Sequence, residues 1–128
     1  MQGVVIRAAH YPGRAPIESY GNGGFRFAGM SHRGSLLCLP SGIYGWEALA
    51  PGALDAANLE KVFGEAGDIQ ILLVGTGSEI VPLSTALKGR CREAGMVAEP
   101  MSTGAAVRTF NVLLAEERAV AAALIAVD

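Results

Sequence analysis

The chain has 128 residues, 51% of them hydrophobic and only 17% charged, with a formal net charge of −2. That length gives one domain with enough core to fold unaided. The acidic balance and the lack of any Lys/Arg block exclude a phosphate-backbone partner, so no nucleic acid is expected. Its longest apolar run, residues 119–127, is far too short to span a bilayer. No basic amphipathic helix offers a membrane-surface anchor either. There is no charged leader followed by an apolar stretch. The expectation is a bacterial cytoplasmic protein without direct membrane insertion.

In chain order, residues 1–20 hold Pro12, Gly13 and Pro16 with little periodicity, and read as an N-terminal arm with a strand at 3–8. Residues 21–128 then form a single α/β domain. Gly21-Asn22-Gly23-Gly24 is turn chemistry, and Phe25 and Phe27 alternate with Arg26 as in a strand. Strands follow at 35–39 and 43–47, separated by Pro40, Ser41 and Gly42. After Pro51 the period changes. Leu54, Asn58, Leu59, Val62 and Phe63 fall near helical spacing, with Asp55 as cap and Gly64 and Gly67 as stops.

Ile69–Val74 is a nearly continuous apolar run, which suits a central strand covered on both faces. Pro82 fits a first helical turn, and Leu83, Ala86, Leu87, Cys91 and Ala94 share one helix face that Gly95 ends. Val97–Met101 is a strand. Ser102 and Thr103 cap a helix whose inner face is Ala106, Val107, Phe110, Leu113 and Leu114, and Ala119–Val127 is the last strand. Hairpins followed by alternating helix and strand predict an α/β fold with helices on both sheet faces.

Several short motifs recur in a fixed order: Gly23-Gly24-Phe25-Arg26; Gly34-Ser35-Leu36-Leu37 with Pro40, Gly42 and Trp46; Gly75-Thr76-Gly77 with Pro82; and Thr103, Ala105, Ala106, Thr109, Phe110, Asn111, Glu116, Arg118, Val120, Ala122, Ala123 and Leu124. Together they cover residues 18–128. The pattern resembles a family of small single-domain proteins of unknown biochemistry that includes mitochondrial NADH dehydrogenase (complex I) assembly factor 3. The resemblance implies a three-layer fold. Its central sheet is mixed and five-stranded, with one strand antiparallel to the rest. Helices lie on one face, and a helix with a small β layer lies on the other. It also implies a protein partner met during assembly of a respiratory or other membrane-associated complex, at the inner membrane. It carries over no catalytic residue.

The residues themselves offer two candidate sites. Gly75, Thr76, Gly77 and Ser78 follow a buried strand, and Ser102, Thr103 and Gly104 open a helix. If strands 69–74 and 97–101 are parallel neighbours, both loops open at one sheet edge, where α/β proteins seat ligands. Free helix N–H groups there suit an anion, and Arg108 with Asn111 would hold a carboxylate or phosphate. The bland alternative is a pair of structural turns with ordinary capping. Glu79 beside this loop reads as a helix-start carboxylate.

The second site is Tyr20, Tyr44 and Trp46, aromatics in Gly-rich loops that suit a partner surface. The alternative is a lid over the sheet. His10, His32, Cys38 and Cys91 match no metal spacing and no nucleophile–base pair. No metal, cofactor or catalytic group is expected. A non-enzymatic interaction module is therefore the leading reading, and a small-molecule or anion-binding protein or enzyme is the second.

Overall fold

A computed structural model describes residues 11–48 and 50–128. The strand expected at 3–8 and His10 lie outside the described residues. Residues 17–20, read from sequence as the end of an arm, form part of the first strand.

A three-stranded antiparallel sheet comes first: β1 (Ile17–Gly21), β2 (Gly24–Phe27) and β3 (Met30–Arg33). Then come β4 (Ser35–Leu39), β5 (Gly42–Trp46), α1 (Glu60–Phe63), β6 (Ile71–Gly75), α2 (Thr85–Glu93), β7 (Val97–Met101), α3 (Thr103–Ala115) and β8 (Val120–Leu124). The five later strands make one mixed sheet in the order β5-β4-β8-β6-β7. β6 pairs parallel with both β7 and β8, whereas β4 pairs antiparallel with β5 and β8. Only β4 therefore runs against the other four. The β6 strand is interior, but the middle position belongs to β8.

Side-chain alternation divides the interior into two cores, because successive strand residues point to opposite faces. Leu72, Val74, Ala121, Ala123, Leu37 and Leu39 face Leu59, Val62, Leu87 and Cys91 of the α1 and α2 layer. Leu73, Ala122, Leu124, Leu36 and Cys38 face Phe25 and Phe27 of the small sheet and Ala106, Val107 and Phe110 of α3. The chain is thus α/β with three layers: two helices, the mixed sheet, and the hairpin sheet beside α3. Ala121, Ala122 and Ala123 are fully buried on the middle strand, and their small side chains let both outer layers approach closely.

Three local expectations need correction. The helix expected from Leu54 shrinks to Glu60–Phe63. Asp55 does cap, its Oδ1 accepting from Asn58 N–H while Asn58 Oδ1 accepts from Asp55 N–H, but the turn it opens closes with tighter i→i+3 bonds (Leu59 N–H to Ala56 O, Glu60 N–H to Ala57 O), so α-helical bonding begins only at Glu60. Pro82 precedes its helix rather than opening it, because Ser84 is the cap, its Oγ accepting from Leu87 N–H at 3.1 Å. Glu79 consequently lies in a loop, outside any helix's first turn.

Candidate functional site

Four strands of the mixed sheet point the same way, so the segments leaving β5, β6, β7 and β8 all emerge at one edge. An open cleft of about 870 Å³ lies there. Its walls come from the loop after β6, the start of α3, the segment after β8, Pro51 and Tyr20. The two loops that the sequence placed together only conditionally do meet, because β6 and β7 are parallel neighbours.

Hydroxyl groups hold this edge together. Among the described residues the buried polar ones are Ser35, Thr76 and Thr103, and all three are at it. Thr103 Oγ1 donates to Ile125 O at 2.7 Å and accepts from Gly77 N–H at 3.0 Å, while Thr103 N–H donates back to Gly77 O at 2.8 Å. Thr76 Oγ1 accepts from Val81 N–H at 2.9 Å and lies 2.7 Å from Glu79 O and 3.1 Å from Met101 O. Ser35 Oγ accepts from Ala126 N–H at 2.9 Å. These bonds satisfy backbone groups that the sheet ladder leaves over at its edge. Gly75 is needed for the same joint, since an added Cβ would stand 2.9 Å from Thr103 Cα.

Several residues read as anion ligands are therefore committed elsewhere. Thr76 and Thr103 point into the joint. Ser102 caps α3, its Oγ accepting from Ala105 N–H at 3.3 Å. Asn111 is the clearest departure: its Oδ1 accepts from Ile17 N–H at 2.8 Å and its Nδ2 donates to Ile17 O at 2.9 Å. That amide fastens α3 to β1 and does not pair with Arg108. The second helix N-terminus expected at Gly75-Thr76-Gly77-Ser78 is also missing, because α2 begins only at Thr85.

Gly77, Ser78, Gly104 and Arg108 remain on the cleft wall, joined by Glu79, Ile80, Asp128 and Tyr20. Arg108 is exposed. Tyr20 is 41% exposed and lies across the first turn of α3, where a Cβ on Gly104 would collide with its hydroxyl.

The three aromatics read as one partner surface divide between two faces. Tyr20 belongs to the hairpin layer, whereas Tyr44 and Trp46 pack in the core beneath α1 and α2. Trp46 is 9% exposed, and its indole N–H donates to Asn58 O at 2.8 Å. With its one polar group satisfied, the ring closes over the sheet rather than facing outward. Tyr44 is half-buried, with its hydroxyl bonded to Ser41 and the Lys61 ammonium 4.3 Å over its ring.

Among the described residues no group of three or more His, Cys, Asp or Glu is placed to hold a metal. The two cysteines are free and buried, and both are away from the cleft. Burial pushes the Cys38 thiol far above its ordinary range. Burial also raises Cys91, with Arg90 pulling weakly in the other direction.

Residues 17–125 match the family described as "Protein of unknown function (DUF498/DUF598)". The chain belongs to that family. An uncharacterised protein of Rhodobacter capsulatus is 41% identical over 119 residues, covering 93% of this chain and 90% of that one. NADH dehydrogenase [ubiquinone] 1 alpha subcomplex assembly factor 3 of Xenopus tropicalis is 32% identical over 109 residues. The match takes in 85% of this chain but only 60% of the frog protein, so the chain spans well under two thirds of that relative's length. A crystal structure described as an outer membrane protein from Bartonella henselae superimposes with a TM-score of 0.90 at 55% identity, covering 93% of this chain and all of that one. The motif order that pointed to this family, and to the three-layer fold, is borne out.

Proposed function

We propose that this DUF498/DUF598 protein is a non-enzymatic interaction module that helps assemble a respiratory or other membrane-associated complex in a bacterium. The observation that carries the reading is the 109-residue match to complex I assembly factor 3. The match takes in 85% of this chain, so the shared part is most of it rather than a short segment. A thin charged coat, 17% of residues, is compatible with a protein partner. No helix among the described residues is long and apolar enough to cross a membrane. In this reading the module acts on membrane subunits from the cytoplasmic side of the inner membrane. Trp46 is not the anchor, because it is core. A contact surface would draw instead on exposed side chains away from the cleft, such as Val97 and Val112.

The test is in-cell crosslinking of a tagged chain during respiratory growth, followed by native separation of membranes. The reading predicts that the chain crosslinks to subunits in partly built complexes and is absent from the finished one. Crosslinks confined to soluble metabolic proteins, with none to membrane subcomplexes, would refute it. Fractionation of the same cells tests the location: recovery in the outer membrane would overturn the cytoplasmic assignment.

A further inference from the structure

We propose that the cleft at the carboxyl edge of the sheet binds an organic monocarboxylate carrying an apolar tail, with Arg108 and Tyr20 holding the carboxylate. This inference stands independently of the assembly reading. The cleft's volume, about 870 Å³, lies within the roughly 300–1,000 Å³ common for small-molecule sites. Its position, outside the carboxyl ends of parallel strands, is where open α/β sheets take ligands.

Arg108 is the single cation on the wall, and among the described residues its guanidinium has no hydrogen-bond or ion-pair partner. The Tyr20 hydroxyl is equally unpaired among them. The two groups converge. Arg108 Nη1 lies 3.5 Å from the point a Gly104 Cβ would occupy, and the Tyr20 hydroxyl is closer still. Glycine at 104 is therefore what leaves the pair room to meet over the first turn of α3. A planar guanidinium fork beside a phenol donor matches the two oxygens of a carboxylate.

Charge selects the class of anion. The wall also carries the Glu79 and Asp128 carboxylates, two negative groups against one positive. That balance opposes every anion, and a phosphate dianion or a polyphosphate more strongly than a monoanion, so binding rests on direct contact with Arg108. A monoanion gains Arg108 at less cost. The tail is selected by Ile80, which is 62% exposed on the cleft wall, and by the half-buried Val81 next to it in the chain. Covering Ile80 removes apolar surface from water on binding.

The same chemistry comes from two sources, a free short-chain acid or the C-terminal carboxylate of a polypeptide ending in an apolar residue. The experiment is an amide NMR titration of the full chain with hexanoate, hexanamide and inorganic phosphate. A second pair of probes is a short peptide ending in a free leucine carboxylate and its amidated form. Hexanoate is expected to shift Gly77, Gly104 and Tyr20 together and saturably. Phosphate and hexanamide should bind at least about tenfold more weakly, and Arg108→Gln should weaken hexanoate by a similar factor without changing the rest of the spectrum. Tyr20→Phe should weaken it by about tenfold or more, the value of one hydrogen bond to a charged group.

Tighter binding of the free-carboxylate peptide than of hexanoate assigns the source to a polypeptide tail, and the reverse assigns it to a free acid. If Arg108→Gln misfolds, Arg108→Lys carries the test, since it keeps the charge, loses the fork and should also weaken hexanoate. Phosphate binding as tightly as hexanoate would overturn the proposal. So would shifts that survive loss of the guanidinium, or no shift at roughly 20 mM hexanoate, a concentration that still detects contacts worth only about 2–3 kcal/mol.

Discussion

Replacing Thr103 with valine removes one hydroxyl and keeps the side chain's shape. Thr103 is fully buried, and its Oγ1 serves Ile125 O at 2.7 Å and Gly77 N–H at 3.0 Å. In Thr103→Val both groups lose their partner. The Ile125 carbonyl sits under a buried side chain, and stranding such a group costs about 1–3 kcal/mol. Gly77 is half-buried, so water recovers part of its loss, and the expected total is about 2–4 kcal/mol. An unfolding entropy of roughly 2.1 cal/mol/K per residue gives this domain about 0.27 kcal/mol/K, so Tm should fall by about 7–15 °C. Thr103→Ser is the control, since it keeps both bonds and loses one methyl, for about 1 kcal/mol. Thermal unfolding by circular dichroism compares the two, and hydrogen exchange at Gly77 should accelerate only in the valine variant. If Thr103→Val is as stable as wild type while Thr103→Ser is the weaker, the hydroxyl joint holds nothing together and packing alone seats α3.

Four further outcomes follow from the same geometry. Leu72→Asp should abolish the cooperative transition, because Leu72 is fully buried and an unpaired charge there costs several kcal/mol; a folded variant at the wild-type midpoint would contradict the placement of β6. Trp46→Ala should cost about 3–5 kcal/mol, and the emission of this sole tryptophan should be blue-shifted in the native state; red-shifted emission with little loss of stability would return the ring to the surface. Asn111→Ala should cost about 1–3 kcal/mol and speed exchange of the Ile17 amide while leaving the ends of α3 protected. Burial holds the Cys38 thiol protonated in the folded state and raises Cys91 in the same direction, so the unfolded chain ionises first; stability should be level below about pH 8 and fall above pH ~9, by up to about 1.4 kcal/mol per pH unit from Cys38, with Cys91 adding to the fall. Denaturant titrations of wild type and a Cys38→Ala, Cys91→Ala double variant check it, and an identical high-pH decline in both would remove the cysteines as its cause.

The legible parts of this fold are those where one physical signal acts alone. β4, β7 and α3 stand where their apolar periods and breakers placed them, and Ser102 caps α3 as its position predicts. The segment after Pro51 has helical apolar spacing and the cap at Asp55, but its first backbone bonds run i→i+3, a difference that apolar spacing does not reveal. At the edge of the sheet, sequence showed which loops carry polar residues but not which way the side chains point. Thr76, Thr103 and Asn111 have the composition of a ligand cradle. They turn inward because a sheet edge and a β1–α3 contact leave backbone groups that need partners, several of them distant in sequence: 25 residues for Thr76 and Met101, 22 for Thr103 and Ile125, and 94 for Asn111 and Ile17. The sequence leaves Trp46 between a partner surface and a lid over the sheet for a similar reason: nothing local in Gly42–Trp46 announces that Asn58 O will lie within reach of its indole, which decides for the lid. The meeting of Tyr20 with Gly104 and Arg108 is equally long-range, since it depends on the hairpin sheet packing beside α3.

Deleting the gene in its native host and measuring the amount of assembled NADH dehydrogenase on native gels tests the assembly role most directly. The account predicts less finished complex and an accumulation of subcomplexes at unchanged subunit synthesis, restored by the wild-type chain expressed in trans. A normal amount of active, fully assembled complex in the deletion strain would contradict it.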